Sequence, residues 1–106
     1  IRQVLINLID NAIKYGKPGK EIWIRLTRRK NQIQIAVANQ GKGIEADEAA
    51  HIFEPFYRVD KERSREMGSS GLGLAISRKI MEEHGGTIQV KSEPDGYTIF
   101  MVSFPA

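Results

Sequence analysis

The apolar positions in the first fifteen residues follow the periodicity of an amphipathic α-helix. They recur at spacings of one, three and four and so form one broad helix face, which consists of Val4, Leu5, Leu8, Ile9, Ala12 and Ile13. The segment Gly16-Lys17-Pro18-Gly19 follows, with glycine where a left-handed cap is expected and proline just beyond. The pattern therefore predicts a helix over residues 1 to about 15 that ends at Gly16.

Alternation of apolar and polar residues predicts two β-hairpins. Residues 22–27 and 33–37 alternate on either side of the polar turn Arg29-Lys30-Asn31. Residues 87–91 and 97–104 do the same on either side of Pro94-Asp95-Gly96, whose residue types are typical of turns. The chain is therefore expected to contribute four strands, in two pairs of sequence neighbours.

Two further helices and a long loop are expected between the hairpins. Residues 46 to about 53 predict a short helix, and residues 72–84 predict a longer amphipathic helix that ends at Gly85-Gly86. Residues 54–70 are polar and charged and have no apolar periodicity. A loop of this length in a compact domain is usually a lid or a binding loop.

The order of elements is thus α, β, β, α, long loop, α, β, β. Because the helices are amphipathic and the strands alternate, each element buries one side only. The simplest arrangement is an α/β two-layer sandwich, with helices packed on one face of a mixed, mostly antiparallel sheet. Residues 1–106 suffice for one domain with one core. Since Ile1 is already in helical phase, without an N-cap or an initiator methionine, we expect a piece of a longer protein.

Composition restricts the class of protein and the kinds of chemistry. The chain is 41% hydrophobic and 27% charged, as in soluble globular proteins, and no run approaches the roughly 20 apolar residues of a membrane span. The absence of cysteine excludes disulfides and thiolate metal sites. The net charge of +3 is mild, and the basic cluster at 25–30 has no interleaved aromatic residue beyond Trp23. This favours a solvated strand end and turn over a nucleic-acid surface.

A stripe of polar side chains runs along the first predicted helix. Asn7, Asn11 and Lys14 fall on one side of it, because residues three and four apart are neighbours on a helix surface. Neutral oxygens suit a hard cation such as Mg²⁺, and an adjacent ammonium group suits the phosphates that share it. The stripe is therefore a candidate nucleotide-metal surface, although two asparagines alone could equally be helix residues satisfied by backbone.

Two glycine clusters flank the long loop. Asn39-Gln-Gly41-Lys-Gly43-Ile44 follows a strand, and the Asn39 side chain could hydrogen-bond an amino-substituted ring there. Gly68-Ser-Ser-Gly71-Leu-Gly73-Leu74 opens the next helix, whose free N–H groups favour an anion. Taken singly, each cluster could be an ordinary turn. Neither matches the dinucleotide fingerprint, and the chain has no phosphate loop of the Gly-x-x-x-x-Gly-Lys type.

The order of the motifs carries a family resemblance. They are Asn7 and Asn11, then Asn39-x-Gly41-x-Gly43-Ile44, then Ile52-Phe53-Glu54-Pro55-Phe56-Tyr57-Arg58, then Gly71-Leu-Gly73-Leu-Ala-Ile76. Over essentially its whole length the chain resembles the catalytic and ATP-binding domain of sensor histidine kinases. These belong to the superfamily of gyrase, the ninety-kilodalton heat-shock chaperones and the mismatch-repair ATPases. The resemblance implies the Bergerat-type ATP-binding fold.

The resemblance also implies roles for individual residues. Asn11 would coordinate the Mg²⁺ that bridges the phosphates, with Asn7 adjacent, while Lys14 would contact phosphate and Tyr15 the ribose or adenine edge. The adenine end would be formed by Asn39, Gly41, Gly43 and Ile44. Tyr57 and Arg58 lie where the lid begins; Tyr57 would contact the nucleotide, and Arg58 would meet the terminal phosphate. The second glycine box would hold phosphates through its backbone amides; it comprises Gly68, Ser69, Ser70, Gly71, Leu72, Gly73 and Leu74.

Asn7 favours phosphoryl transfer over hydrolysis. The hydrolytic relatives carry a glutamate at this position, where it acts as the base that orients water. Asparagine cannot accept a proton at neutral pH, so that route is disfavoured here. Phosphoryl transfer depends mainly on positioning and charge neutralisation, which Asn11, Lys14 and Arg58 would supply. The expected activity is therefore that of a protein-histidine kinase.

Asn39 departs from the family pattern, in which kinases usually carry an aspartate. Its amide oxygen can still accept a hydrogen bond from the adenine amino group, but without the strength of a charge-assisted bond. The alternatives left open are an ATP-driven switch, a non-catalytic interaction module that has lost ATP, and a serine kinase that acts on an anti-anti-sigma factor. The two enzyme alternatives are disfavoured because such relatives carry the glutamate that Asn7 replaces.

The resemblance also implies partners outside this chain. The acceptor histidine of the family lies on a preceding helical-hairpin domain, which also dimerises, and nothing here resembles it. His51 and His84 are expected to be structural or surface residues. The piece should be a monomer of a homodimeric protein, missing its first strand, with a response regulator downstream. Family members commonly are membrane-anchored sensors that hold this domain in the cytoplasm.

Overall fold

The computed structural model of the chain describes residues 1–17, 19–41, 43–57, 72–93 and 96–106. The helices and strands within these residues are α1 (Arg2–Tyr15), β1 (Ile22–Arg29), β2 (Gln32–Gln40), α2 (Ala46–Ala49), α3 (Gly73–Glu83), β3 (Thr87–Ser92) and β4 (Tyr97–Pro105). Both long helices and both hairpins are therefore confirmed. Most of their ends lie within one or two residues of the predicted ends. Arg58 and the residues from Gly68 to Gly71 lie outside the described part, so their predicted roles stay predictions.

The short helix is the element whose length was predicted wrongly. α2 ends at Ala49, and turns continue from there to Phe56. The backbone N–H groups of His51, Glu54 and Tyr57 donate to carbonyl oxygens three residues earlier, which is the bonding of tight turns. Pro55 disfavours the α conformation in the residue before it. The apolar period alone could not reveal this early end.

The end of α1 also differs from the prediction of a left-handed cap. Gly16 has an extended backbone with φ −79°, because it forms an isolated antiparallel bridge with Gly41. A Cβ on Gly16 would lie 2.7 Å from the carbonyl oxygen of Ala12, and one on Gly41 would lie 2.7 Å from that of Tyr15. Glycine is therefore required here for close approach of two backbones and not for positive φ. At the end of α3, by contrast, Gly85 does adopt positive φ, at 71°.

The described strands form one sheet in the order β1-β2-β4-β3, and every pairing is antiparallel. The two predicted hairpins supply the outer pairs, and β2 joins β4 at the centre over a register that runs from Gln32↔Pro105 to Gln40↔Tyr97. This is the expected sandwich, with α1 and α3 packed beside each other on one sheet face. The pairing of β2 with β4 brings Asn39 and Gln40, the start of the first glycine box, beside the start of β4.

The core lies between the helices and the two central strands. Val4 and Leu8 of α1, and Met81 of α3, are fully buried against strand residues of the same face. The buried hydrophobic residues of this cluster are Val4, Leu8, Ala12, Ile35, Val37, Ile52, Met81, Phe100 and Val102. Burial of such side chains stabilises the fold by about 1.5–3 kcal/mol each, so this packing fixes α1 and α3 against the sheet.

The edge strand β1 is largely uncovered. Ile24 and Leu26 pair with Val37 and Ile35 of β2 and therefore share the helix-covered face, but they remain 54% and 70% exposed. α1 packs over β2 and beside α3, which leaves this part of the sheet open. Among the described helices, none has both the length and the apolar character required to cross a membrane.

Candidate nucleotide-binding site

Asn7 joins α1 to the first turn of α3. Its Nδ2 donates to the carbonyl oxygen of Gly73 at 3.2 Å and to Ser77 Oγ at 3.1 Å, and its Oδ1 accepts from Gln3 Nε2 at 2.9 Å. Ser77 is fully buried and donates in turn to the Gly73 carbonyl oxygen at 2.9 Å. The asparagine stripe and the end of the second glycine box are thereby brought together. Both ends of the Asn7 carboxamide are already used within the protein.

The second asparagine of the stripe has a different environment. Asn11 is partly buried, and its carboxamide makes no hydrogen bond with the residues that the structure describes. Lys14 lies one turn further along, with its Nζ 3.1 Å from Asp10 Oδ2. Surface pairs of this kind contribute little stability. An unsatisfied amide oxygen beside an ammonium group suits a hard cation bound to phosphate.

Asn39 is a buried polar group at the end of β2. It is 5% exposed, and its Nδ2 lies against the backbones of Gly16 and Gly41, where a Cβ would come within 3.6 and 3.5 Å of it. Its side chain has no hydrogen-bond partner in the described part of the chain. Such a group costs about 1–3 kcal/mol if nothing satisfies it. A polar ligand edge at this position would supply the missing bonds.

Two hydroxyl residues beside Asn39 are absent from the sequence-based prediction. Thr98 of β4 is directly opposite Asn39 and is also 5% exposed, and Ser92 of β3 is directly opposite Thr98. The two hydroxyl oxygens are 2.8 Å apart. The sequence does contain a signal for Thr98. It alternates in step with Phe100 and Val102 and therefore points to the same side of the strand, so a polar residue occupies a core position.

The first glycine box connects three parts of the fold. Lys17 N donates to the Gln40 carbonyl oxygen at 2.7 Å, and Gly41 N donates to the Gly96 carbonyl oxygen at 3.2 Å. Gly43 has φ +85°, a conformation that favours glycine, and the next residue, Ile44, donates its backbone N–H to Ser92 Oγ at 2.8 Å. The side chain of Ile44 packs against the core. Hydrogen bonds at Gln40 and Gly41 therefore hold the start of the box beside Asn39, and the bond of Ile44 to Ser92 holds its end.

The segment that leads towards the long loop is tied to the core. Phe53 packs edge-on against Phe100, with ring centroids 6.2 Å apart, whereas Phe56 is 69% exposed. Tyr57 Oη donates to Glu48 Oε1 at 3.3 Å. Partial burial and the Glu48 carboxylate raise the pKa of the Tyr57 phenol. Tyr57 is thus held by α2 and its ring packs against the core, so a nucleotide contact stays a prediction.

Neither histidine belongs to this site. His51 Nδ1 lies 2.6 Å from Glu54 Oε2, and this hydrogen bond, with the negative charge of Glu54, raises the pKa of the exposed imidazole above 6.5. His84 Nδ1 lies 2.9 Å from the Ile80 carbonyl oxygen at the end of α3. Both are surface residues with local partners, as predicted.

The remaining predicted residues lie around the start of α3. Leu72 precedes the helix and its carbonyl oxygen accepts from Ile76 N at 2.9 Å, while Gly73 is the first helical residue. Leu74 is partly buried against the core. Tyr15 is the last residue of α1, and it lies beside the Gly16–Gly41 bridge. The structure therefore brings the stripe of α1 close to the start of α3, and brings the end of α1 to Asn39 and Gly41.

Comparison with known proteins agrees with this geometry. The family described as histidine kinase-, DNA gyrase B- and HSP90-like ATPase matches residues 1–106. The signal transduction histidine-protein kinase ArlS of Staphylococcus haemolyticus is 47% identical over 96% of this chain and 22% of its own length. The chain thus spans about a fifth of that relative.

Solved structures show the same fold. A mycobacterial sensor histidine kinase, MprB, superposes with a TM-score of 0.84 at 30% identity, over 97% of this chain and 68% of the other. Full-length ShkA in complex with AMPPNP superposes with a TM-score of 0.84 at 28% identity, over 98% of this chain and 21% of the other. The chain belongs to the histidine kinase-, gyrase- and HSP90-like ATPase family, and it is of the class found in the catalytic domains of sensor histidine kinases.

Proposed function

We propose that this chain is the catalytic half of a two-component sensor protein-histidine kinase. It would bind ATP with Mg²⁺ and present the γ-phosphoryl group to a histidine on a separate dimerisation domain. The observation that carries the proposal is the pair of carboxamides, Asn11 and Asn39, that make no hydrogen bond with the described residues. Asn39 lies beside the Gly16–Gly41 bridge at the end of α1, and Asn11 lies on α1 itself, which supports a ligand with a polar ring at Asn39 and phosphates at Asn11.

The adenine end of the ligand would lie at Asn39. The carboxamide oxygen would accept from the amino group of the ring. The first glycine box would lie against the ring, because Gly41 and Gly43 have no side chains to keep it away. An ATP analogue is bound in the related structure of ShkA, which supports the choice of ligand. Ile44 and Tyr15 would complete this end of the site.

The phosphate end would lie between Asn11 and the start of α3. Asn11 would hold Mg²⁺, while Lys14, Arg58 and the backbone amides from Gly68 to Leu74 would hold the phosphates. When bound, Mg²⁺ neutralises phosphate charge and ATP supplies the phosphoryl group. The hydrogen bonds of Asn7 to Gly73 and Ser77 would keep α1 and α3 at a fixed separation around this group.

Transfer to a separate acceptor is favoured over hydrolysis by the chemistry of Asn7. Its carboxamide has no basic site at neutral pH, and its oxygen already accepts from Gln3. It therefore does not activate water as a glutamate would. The chain's own contribution would be positioning and charge neutralisation, which suffice for phosphoryl transfer.

The wider context is also proposed. The parent protein would carry an upstream acceptor domain that dimerises, act on a response regulator and hold this domain in the cytoplasm, while the isolated piece would be monomeric. A strand that precedes residue 1 would lie beside β1. The exposed apolar side chains of Ile24 and Leu26 support this last point.

The test is Asn11→Ala, compared with wild type by calorimetry of ATP binding with and without Mg²⁺. Loss of the metal ligand should remove the Mg²⁺-dependent part of the affinity, at least about tenfold. Asn31→Ala is the matched control, because Asn31 lies in the exposed turn between β1 and β2 and should bind as wild type does. Unchanged Mg²⁺-dependent affinity in Asn11→Ala would contradict the proposal, as would steady-state ATP hydrolysis by the isolated chain.

A further inference from the structure

The side of the sheet that faces away from the helices has an apolar centre of its own. This side, the open face, consists of the odd-numbered residues of β1, β3 and β4 and the even-numbered residues of β2, because paired residues share a face. None of these residues belongs to the core cluster. At the centre, Trp23 of β1 and Ile99 of β4 lie on either side of Ala38 of β2, and Met101 lies two residues further along β4.

Two aromatic rings meet across the open face. Trp23 and Tyr97 lie on strands that flank β2, yet their ring centroids are 6.2 Å apart at an interplanar angle of 59°. Ala38 of β2 is 0% exposed on this side of the sheet, so its neighbours cover its small side chain. The two rings nevertheless remain 36% and 40% exposed. They hold each other in place, so a partner that covers them has little ordering entropy to overcome.

The charged residues of the open face are all basic. They are Arg25 and Arg29 of β1 and Lys91 of β3. Arg25 and Lys91 are exposed, and neither forms an ion pair with another residue that the structure describes. They lie on the two edge strands, which are three strand spacings, or about 14 Å, apart. The nearest acidic residues in the sequence, Glu21 and Glu93, lie beyond the ends of these strands.

We propose that the open face docks an acidic segment of a partner protein. Apolar side chains of the segment cover Trp23 and Tyr97, and its carboxylates pair with Arg25 and Lys91. Tryptophan, tyrosine, methionine and arginine are enriched in protein interfaces, and the first, second and last are the commonest residues at their energetic centres. The inference goes beyond the proposed function, because Asn39 lies on the opposite side of the sheet.

An anionic membrane would satisfy the same charges but fits the shape of this surface less well. An element that lies in a membrane surface buries its apolar side chains about 5–10 Å below the headgroups. Trp23 and Tyr97 are mostly covered within a flat sheet, so they cannot reach that depth. The open face also carries Gln34 and Gln89, whose amide groups both donate and accept hydrogen bonds and so suit peptide groups.

The experiment selects partners from a random peptide library displayed on phage, against the 106-residue chain with ADP in excess. The enriched peptides should carry aspartate or glutamate around aromatic or aliphatic residues. Trp23 is the only tryptophan of the chain, so binding of a synthetic enriched peptide should change its fluorescence. The affinity from this titration should fall as the salt concentration rises.

Charge reversal at the open face is compared with the same change on the helix layer. Arg25→Glu should weaken the peptide about tenfold, because like charges then face each other. Lys79→Glu is the matched control, since Lys79 is exposed on α3, and should bind the peptide as wild type does. Circular dichroism checks that both variants fold.

The remaining outcomes overturn the inference. These are the absence of enriched acidic peptides, enriched peptides that leave the fluorescence of Trp23 unchanged, and equal peptide affinity in wild type and Arg25→Glu. Binding to vesicles of phosphatidylcholine and phosphatidylserine that Arg25→Glu abolishes, without any enriched peptide, would assign the open face to a membrane instead. The proposed function stands or falls separately, since none of these measurements depends on the affinity for ATP.

Discussion

Asn39 places a neutral carboxamide where an anionic acceptor would bind an amino group more strongly. We expect Asn39→Asp to raise the affinity for ADP by roughly tenfold, because a bond to a charged group contributes about 1.5–3 kcal/mol against about 0.5–1.5 for a neutral one. The same change buries a carboxylate at a position that is 5% exposed, which lowers the stability of the unliganded chain. Calorimetry of ADP binding, with thermal unfolding with and without ADP, measures both effects. A folded variant that binds ADP no better than wild type would contradict the prediction.

A functional residue can be predicted from the sequence when it lies within or next to a recognisable motif. It cannot be predicted when its role depends on a strand that is distant in the sequence. Asn39 could be predicted because it precedes the first glycine box directly. Strand phase puts Thr98 at a core position and the hairpin turn puts Ser92 beside it, but their nearness to Asn39 depends on the pairing of β2 with β4, which no local pattern specifies. Gly16 shows the same limit: local rules predict a left-handed cap, but the bridge to Gly41 imposes an extended backbone.

The contact between α1 and α3 depends on one side chain that bridges two elements. We expect Asn7→Ala to lower the free energy of unfolding by about 1–2 kcal/mol, because it removes the bonds to Gly73 and to fully buried Ser77. Gln3→Ala is the control, since it removes only the exposed bond to Asn7 and should change stability by less than about 0.5 kcal/mol. Urea unfolding measures both variants. Equal losses in the two would show that Asn7 does not fasten the helices.

Element boundaries followed from periodicity wherever the segment was long. α1, α3 and all four strands have the predicted character, because their apolar faces repeat over two or more turns or several residues. α2 is so short that the spacing of its apolar residues does not show where it ends. Pro55 disfavours the α conformation in the residue before it. The central pairing of β2 with β4 was beyond local reasoning, since each hairpin turn specifies only its own two strands.

In the molecule as a whole, the helices cover the central strands of the sheet but leave β1 open. The stability costs of truncating two leucines, one under the helices and one on β1, measure this difference. Leu8 of α1 is fully buried, whereas Leu26 of β1 is 70% exposed on the same side of the sheet. Leu8→Ala should cost about 2–5 kcal/mol of stability, because it leaves a cavity in the core. Leu26→Ala removes the same atoms and should cost less than about 0.5 kcal/mol. Urea unfolding of the 106-residue chain gives both values.

The same pair tests whether a preceding strand covers β1 in a longer protein. In a chain extended upstream of Ile1, a strand beside β1 would contact Leu26 through its cross-strand side chains, and the cost of Leu26→Ala should rise by about 0.2–1 kcal/mol. The cost of Leu8→Ala should stay unchanged, since its surroundings are already complete. The same cost for Leu26→Ala in both chains would mean that β1 is a true edge. The sheet would then end at β1, and the exposed row of Ile24 and Leu26 would face solvent in the whole protein.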